Sequence, residues 1–287
     1  PAKPALGDVF HSSPVVVPPP TSLGPDFRYD SYFTRYKDRL TMLYVGANDG
    51  MLHAFVAEDP EGEGTDKVGT ELWAFIPNNL LPKLQRARYT HENFVDGTPV
   101  VKDVLFRNKP CIDGNGDVMK DADGNDMTGA YRTVLVAGER KGGDAYFALD
   151  VSDPENPEYL WEFRTGVGTS ADYADVQCQR SVMQTFAKPI VGNVWLKNNE
   201  GDPDYFSRSV AIFPGGYIPP QAFMNVTSCV DLAKMLRGGS SLYVVDMETG
   251  KLLKEFPFSP SHDDAQAILD SYYSDLAADP DGKWNHW

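Results

Sequence analysis

The stretch Asp113 to Asp126 reads DGNGDVMKDADGND and places oxygen-bearing side chains at alternate positions. Calcium takes roughly six to eight hard oxygen ligands, so such a run could supply a calcium loop. Counted from Asp113, positions 1, 3, 5 and 9 of an EF-hand-type loop fall on Asp113, Asn115, Asp117 and Asp121. The count then breaks. Position 6 is Val118, where the turn needs glycine, and position 12 is Gly124, which has no carboxylate. A start at Asp121 gives Asp121, Asp123 and Asn125 but ends on Arg132. Two readings stand. One is a calcium loop drawing on Asp113, Asn115, Asp117, Asp121 and Asp123. The other is a solvated β-hairpin with Asp-Gly turns at both ends and Val118 and Met119 in the strand.

Other reactive residues are sparse. The cysteines are Cys111, Cys178 and Cys229, and no pair has CxxC spacing. Cys178 and Cys229 lie in polar, loop-like stretches and are a candidate disulfide, with two free thiols as the alternative; Cys111 is left over. His11 and His53 have no second ligand at metal spacing and read as core or surface histidines. Ser12 and Ser13 lack a nearby base. No GxSxG, HExxH or P-loop pattern occurs. The Gly-rich GERKGGDA (Gly138 to Ala145) does not match a phosphate cradle and reads as a hairpin turn.

The elements that must hold these residues are short strands. LYVGANDGMLHAFV (Leu43 to Val56) sets two apolar runs around Asn48, Asp49 and Gly50, the signal of a tight hairpin. The chain has 287 residues, 41% of them hydrophobic, enough for a sizeable core. Its 25 glycines and 22 prolines are spread along its length, which suits many strands and turns. A net charge of −15 argues against nucleic-acid binding, because phosphates are repelled. No uninterrupted apolar window of about 18 residues exists to span a membrane. The chain starts PAKPALGD, with neither an initiator Met nor a signal-like segment, and is expected to be a piece or processed product of a longer protein.

An internal repeat sets the fold. HSSPVVV (His11 to Val17), DGTPVVKDV (Asp96 to Val104) and AKPIVGNV (Ala187 to Val194) align on Pro14, Pro99 and Pro189, separated by 85 and 90 residues. After them come TMLYVGANDG, RTVLVAGERKGG and RSVAIFPGGY, then MLHAFVAED, AYFALDVSDPENP and LYVVDMETG, then ELWAFIP, YLWEFRTG and LLKEFPF. Four strands per unit make a β-propeller blade. Three units are expected at about 8–80, 95–165 and 186–258, with 259–287 as a loop or helical tail. The long period requires inserts at Pro18 to Leu40, Arg107 to Ala130, Thr165 to Thr185 and Ile218 to Gly239. Asp150 and Asp246 are expected to cap turns. Trp73, Trp161 and Phe256 are expected to pack between blades. Three blades do not close a ring of four to eight or so, so the fold class is all-β, a partial propeller with long loops.

With these motifs in place, the chain resembles the C-terminal domain of the PilY1/PilC family of type IV pilus proteins. The resemblance rests on DVFHSSPVVV, YVGANDGMLHAF, GTELWAFIPNNLLPKL, YTHENFVDGTPVVKDV and RTVLVAGERKGGDAYFALDVSDP, and covers roughly Leu6 to Phe256. It implies a modified quinoprotein-like propeller, export to the cell surface and association with pili. It also implies roles in pilus biogenesis and retraction, adhesion and surface sensing, without established enzymatic chemistry. The implied partners are minor pilins or the pilus tip and a host or abiotic surface. Family members carry an Asp-rich calcium loop after the blade matching Ser209 to Phe256. Nothing after Phe256 supplies it here, and ADPDGKW (Ala278 to Trp284) is too sparse, so the resemblance transfers no calcium ligand.

DFRYDSYFTRY (Asp26 to Tyr36) and Tyr217 to Pro220 are candidate contact loops, with packing over blade edges as the alternative. Two rival functions remain: a quinoprotein-type dehydrogenase, which needs a quinone–metal site at the propeller axis, and a purely structural filament subunit.

Overall fold

A computed structural model of the chain describes residues 6–21, 24, 26–60, 67–87, 89–164, 168–169, 184–197, 205–217 and 241–256. The strands fall into three antiparallel sheets, each ordered as the chain runs. The first holds β1 (Val15–Val17), β2 (Thr41–Gly46), β3 (Leu52–Glu58) and β4 (Glu71–Phe75). The second holds β5 (Val100–Pro110), β6 (Thr128–Gly138), β7 (Ala145–Asp150), β8 (Glu158–Arg164) and the two-residue β9 (Gly168–Thr169). The third holds β10 (Ile190–Lys197), β11 (Tyr205–Pro214), β12 (Leu242–Asp246) and β13 (Leu252–Phe256). Pro14, Pro99 and Pro189 each stand directly before the first strand of a sheet. There a missing N–H breaks no ladder.

The sheets stack face to face. One core fills the space between the first and second, with Met42, Tyr44, Leu52, Phe147 and Leu149 at its centre. Another fills the space between the second and third, with Tyr146, Ala148, Phe163, Phe213 and Tyr243. Strand β7 feeds both cores: Phe147 and Leu149 point one way, Tyr146 and Ala148 the other. Burial on both faces explains why AYFALD is apolar without alternation.

In the first two sheets the fourth strand ties its sheet to the next. Trp73 Nε1 donates to Pro154 O and Trp161 Nε1 to Met247 O, both at 2.8 Å. The register pairs Ala54 with Trp73, Ala148 with Trp161 and Val244 with Lys254. Lys254, not Phe256, therefore stands in the tryptophan position of the third sheet, and Phe256 matches Phe75 and Phe163.

The expected turn caps are present. Asp150 Oδ1 accepts Ser152 N at 2.9 Å, and Asp246 Oδ1 accepts Glu248 N and Thr249 N at 3.1 and 2.9 Å. Each carboxylate also meets an arginine at the start of the second strand, Arg132 and Arg208, both at 3.2 Å.

Three expectations need correction. The loop between β2 and β3 is longer than a two-residue turn, because pairing ends at Gly46 and Leu52. Gly50 sits at φ 104 as the turn requires. Asn48 and Asp49 instead use their side chains to bind outward: Asn48 Oδ1 accepts Phe94 N (3.1 Å), and Asp49 Oδ2 accepts Gly7 N (2.7 Å). Second, the middle sheet has five strands. Third, the Pro18 to Leu40 insert contains helix α1 (Phe27–Tyr36). A second short helix, α2 (Leu81–Ala87), follows a 3-10 turn at Asn78–Leu80. Cys178, Cys229, the 259–287 tail and residues 218–220 lie outside the described residues.

Candidate functional site: a helix and an acidic double turn beside the second sheet

The acidic insert joins β5 to β6, and it is built as one loop made twice. Asp113 Oδ1 accepts N–H from Asn115 and Asp117, each at 2.9 Å. Eight residues on, Asp121 Oδ1 accepts N–H from Asp123 (3.0 Å) and Asn125 (2.9 Å). The backbone repeats as well: Asp113 N donates to Asp117 O, and Asp121 N to Asn125 O, both at 2.9 Å. Gly116 and Gly124 take the same place in each loop, at φ 98 and 85. Three residues one repeat apart close the base: Met119 N bonds Cys111 O, Met127 N bonds Met119 O, and Cys111 N bonds Met127 O. These bonds hold the carboxyls of Asp113 and Asp121 below the usual carboxylate range, chiefly through the N–H groups of Asp117 and Asn125.

The sequence reading identified the Asp-Gly turns and missed the eight-residue period, although Asp113/Asp121 and Gly116/Gly124 display it. Isolated bridges pair Ile112 with Val118 and Lys120 with Asp126, so Val118 lies in a hairpin arm and Met119 at the junction. Asp123 rides on the tip of the second loop, whereas Asp117 closes the base of the first. Among the described residues, no group of three or more His, Cys, Asp or Glu side chains is placed to hold a metal ion.

Helix α1 supports the double turn from the first sheet. Asp26 caps it, accepting N–H from Arg28 (2.9 Å) and Tyr29 (3.3 Å). Arg28 folds back onto the same carboxylate at 2.6 Å and, as the main cause, holds the Asp26 carboxyl low. Tyr29 and Tyr32 donate to Asp103 on β5 at 2.9 and 3.1 Å. Thr133 Oγ1 lies 2.8 Å from the same carboxylate and is hydrogen-bonded to the Tyr32 hydroxyl. Burial, reinforced by Asp103, pushes the Tyr29 phenol up to about 12. The aromatic stretch expected as a contact loop is thus mostly a packed helix, whose Phe27 ring stays exposed.

Where the helix meets the turn, Ser31 Oγ donates to Met119 Sδ at 3.3 Å, and Cys111 Sγ lies 3.5 Å from the same sulfur. Cys111 is buried and unpaired, and burial pushes its thiol up, so it is a poor nucleophile. A cavity of about 60 Å³ separates the two elements, walled by Arg28, Tyr32, Arg35, Tyr36 and Arg132. That is room for a few water molecules.

The arrangement is a surface feature held by a rigid sheet, with no nucleophile–base pair in it. His53 does engage carboxylates, Asp49 at 3.0 Å and Glu71 at 2.6 Å, but it is buried in the first sheet. Tyr217, expected in a contact loop, pairs with Gln184 and packs edge-on against Phe186 at 5.6 Å.

Three stacked antiparallel sheets with tryptophan-tied joints are consecutive blades of a β-propeller. The family model for the PilY1 beta-propeller domain matches residues 6–256, and the chain belongs to that family. It is 33% identical to the type IV pilus biogenesis factor PilY1 of Pseudomonas aeruginosa strain UCBPP-PA14, over 66% of this chain and 14% of that protein. Against PilY1 of Pseudomonas aeruginosa strain PAO1 identity is 28%, over 96% of this chain and 23% of the relative. The chain therefore spans less than a quarter of these relatives' length. The crystal structure of the Pseudomonas aeruginosa PilY1 C-terminal domain matches at 28% identity and a TM-score of 0.44, covering 81% of this chain and 33% of that one.

Proposed function

We propose that the chain contributes three blades to a larger propeller in a non-enzymatic, exported protein of the type IV pilus system. It acts at the pilus tip in adhesion and in pilus biogenesis and retraction. Its partners are minor pilins and a host or abiotic surface. The family match over residues 6–256 carries this reading. The propeller supplies a rigid body, and the α1 and double-turn inserts supply the variable contact surface. Among the described residues, no helix is long and apolar enough to cross a membrane.

The third blade supports the larger ring. Ile190, Leu242 and Phe256 are exposed by 65%, 39% and 54%. Their counterparts in the second blade are Val100, Tyr146 and Phe163, and the latter two are fully buried against the third. A further blade would cover the exposed trio as the third covers the second.

The test is genetic and biochemical. The full-length protein should co-purify with minor pilins, and its deletion should remove both surface pili and adhesion. Deletion that blocks filament assembly but spares adhesion would favour a structural subunit. Quinone-dependent alcohol oxidation by the purified protein would favour the dehydrogenase.

Calcium binding through Asp113, Asn115, Asp117, Asp121 and Asp123 is part of the same proposal, supported by their alternating oxygen ligands. Added calcium should raise the melting temperature, and Asp117→Ala should abolish the shift. No shift at millimolar calcium removes the site.

A further inference from the structure

The turn between β6 and β7 contains a backbone exception. Arg140 sits at φ 51, the one non-glycine residue at positive φ among the described residues. Side chains seldom adopt this region unless the surroundings impose it, and such residues cluster at ligand clamps. Thr185 imposes it here. Its hydroxyl accepts N–H from Glu139 (2.8 Å) and Arg140 (3.2 Å) and donates to Ala145 O (3.2 Å).

The strained backbone holds a partly exposed side chain with one unmet donor. Arg140 Nε is buried and has no hydrogen-bond partner. The guanidinium carbon lies 5.1 Å from the centre of the Phe186 ring. The nearest carboxylate oxygen, Asp96 Oδ2, is 3.8 Å from Nε, beyond hydrogen-bond reach. That oxygen is engaged by His11 Nδ1 at 2.6 Å, and the other oxygen of Asp96 accepts His11 N at 3.0 Å. The other arginines on these sheets behave differently: Arg132, Arg164 and Arg208 reach Asp150, Asp144 and Asp246 at 3.2, 2.6 and 3.2 Å. A buried donor without an acceptor is rare and calls for a missing partner.

The location repeats with the blades. His11, Asp96 and Phe186 each stand four residues before the first strand of their sheet. Arg140 meets Asp96 and Phe186, so residues from three blades converge at one end of the stack.

We propose that Arg140 anchors a carboxylate-binding site at this junction. A carboxylate lying beside the guanidinium would accept N–H from Nε and one terminal nitrogen as a parallel pair. The Phe186 ring lies against the guanidinium as a cation–π partner. A planar monoanion suits the single guanidinium; a phosphate dianion would be repelled more strongly by the Asp96 charge. A small free carboxylate and the C-terminus of a polypeptide share this chemistry.

The test uses the full 287-residue chain and the Arg140 Nε–H signal in nitrogen-15 NMR, assigned by its loss in Arg140→Gln. Sodium acetate should shift the signal saturably in the millimolar range and slow its exchange with water, while sodium chloride at equal ionic strength should not. A short peptide acting more strongly than acetate, and losing its effect when amidated, would assign the site to a polypeptide C-terminus. Acetate acting as strongly as the peptide would assign it to small carboxylates. Arg140→Gly separates binding from folding: glycine accepts positive φ, so the melting temperature should hold or rise while the acetate response disappears. An acetate effect matched by chloride, no effect at all, or an ordered water as the sole acceptor in a crystal of the acetate-soaked protein would overturn the proposal. So would a lower melting temperature in Arg140→Gly.

Discussion

Two buried titratable residues set pH dependences of the same sign, each costing stability as pH rises, from different starting points. Glu139 lies inside the joint between the first two blades, where Oε2 accepts Asn79 Nδ2 at 2.8 Å and Ala145 N at 3.1 Å, while Oε1 has no partner. Burial raises its carboxyl well above the ordinary range, and Asp144 and Glu162 add to the rise. A folded-state pKa above the unfolded one favours folding at low pH, and that advantage is lost as pH rises through the folded value. Glu139→Gln should therefore melt higher than the parent at neutral pH, with the gap shrinking as pH falls toward about 4.3. Thermal melts of both proteins across that range measure it. For His53, burial alone would lower the imidazole, but the bonds to Asp49 and Glu71 outweigh it and the net shift is upward. Its contribution is complete below about pH 6.5 and declines as pH rises through the folded value. His53→Gln should flatten the stability curve over that upper range. A parent and variant whose melting temperatures stay parallel there would contradict this assignment.

At the scale of elements, the blade joint and the double turn can be weakened separately. Trp161→Phe keeps the ring's apolar contacts but leaves the Met247 carbonyl without its 2.8 Å donor. The expected loss is about 1–2 kcal/mol in denaturant unfolding, since an unmade buried hydrogen bond costs its desolvation. Asp113→Ala should open the first loop and Asp121→Ala the second, each raising exchange of the amides that the lost carboxylate had held. Hydrogen exchange at Asn115 and Asp117, or at Asp123 and Asn125, should respond to its own substitution and not to the other. The strands were legible because their signals are local. Proline marks each entry, Asp-Gly and Thr-Gly mark turns, and tryptophan recurs at one position of the first two units. Helix α1 was less so, because DFRYDSYFTRY is rich in strand-favouring aromatics. Its Tyr29, Tyr32, Phe33 and Tyr36 nonetheless follow helical spacing. The Arg140 conformation was not legible at all. It depends on the hydroxyl of Thr185, 45 residues away, which no local pattern reveals.

The repeated joint also explains how the inserts are carried. The first two blades each hand a tryptophan to the next blade's turn, so α1 from the first blade and the double turn from the second occupy fixed relative positions. Among the described residues the open face of the third blade has no such partner, and Lys254 stands in place of the tryptophan. Its uncovered aliphatic and aromatic surface governs how this polypeptide behaves in a test tube. With a charge of −15, copies repel one another at low ionic strength. Salt shortens that repulsion to about 10 Å near 0.1 M, within which bare blades can meet. Light scattering should therefore rise with added salt and with concentration, and replacing Ile190 and Phe256 by serine should suppress it. Such clumping would be a property of a blade whose outer face is left bare, and it should fade with any ligand or protein that shields Ile190 and Phe256.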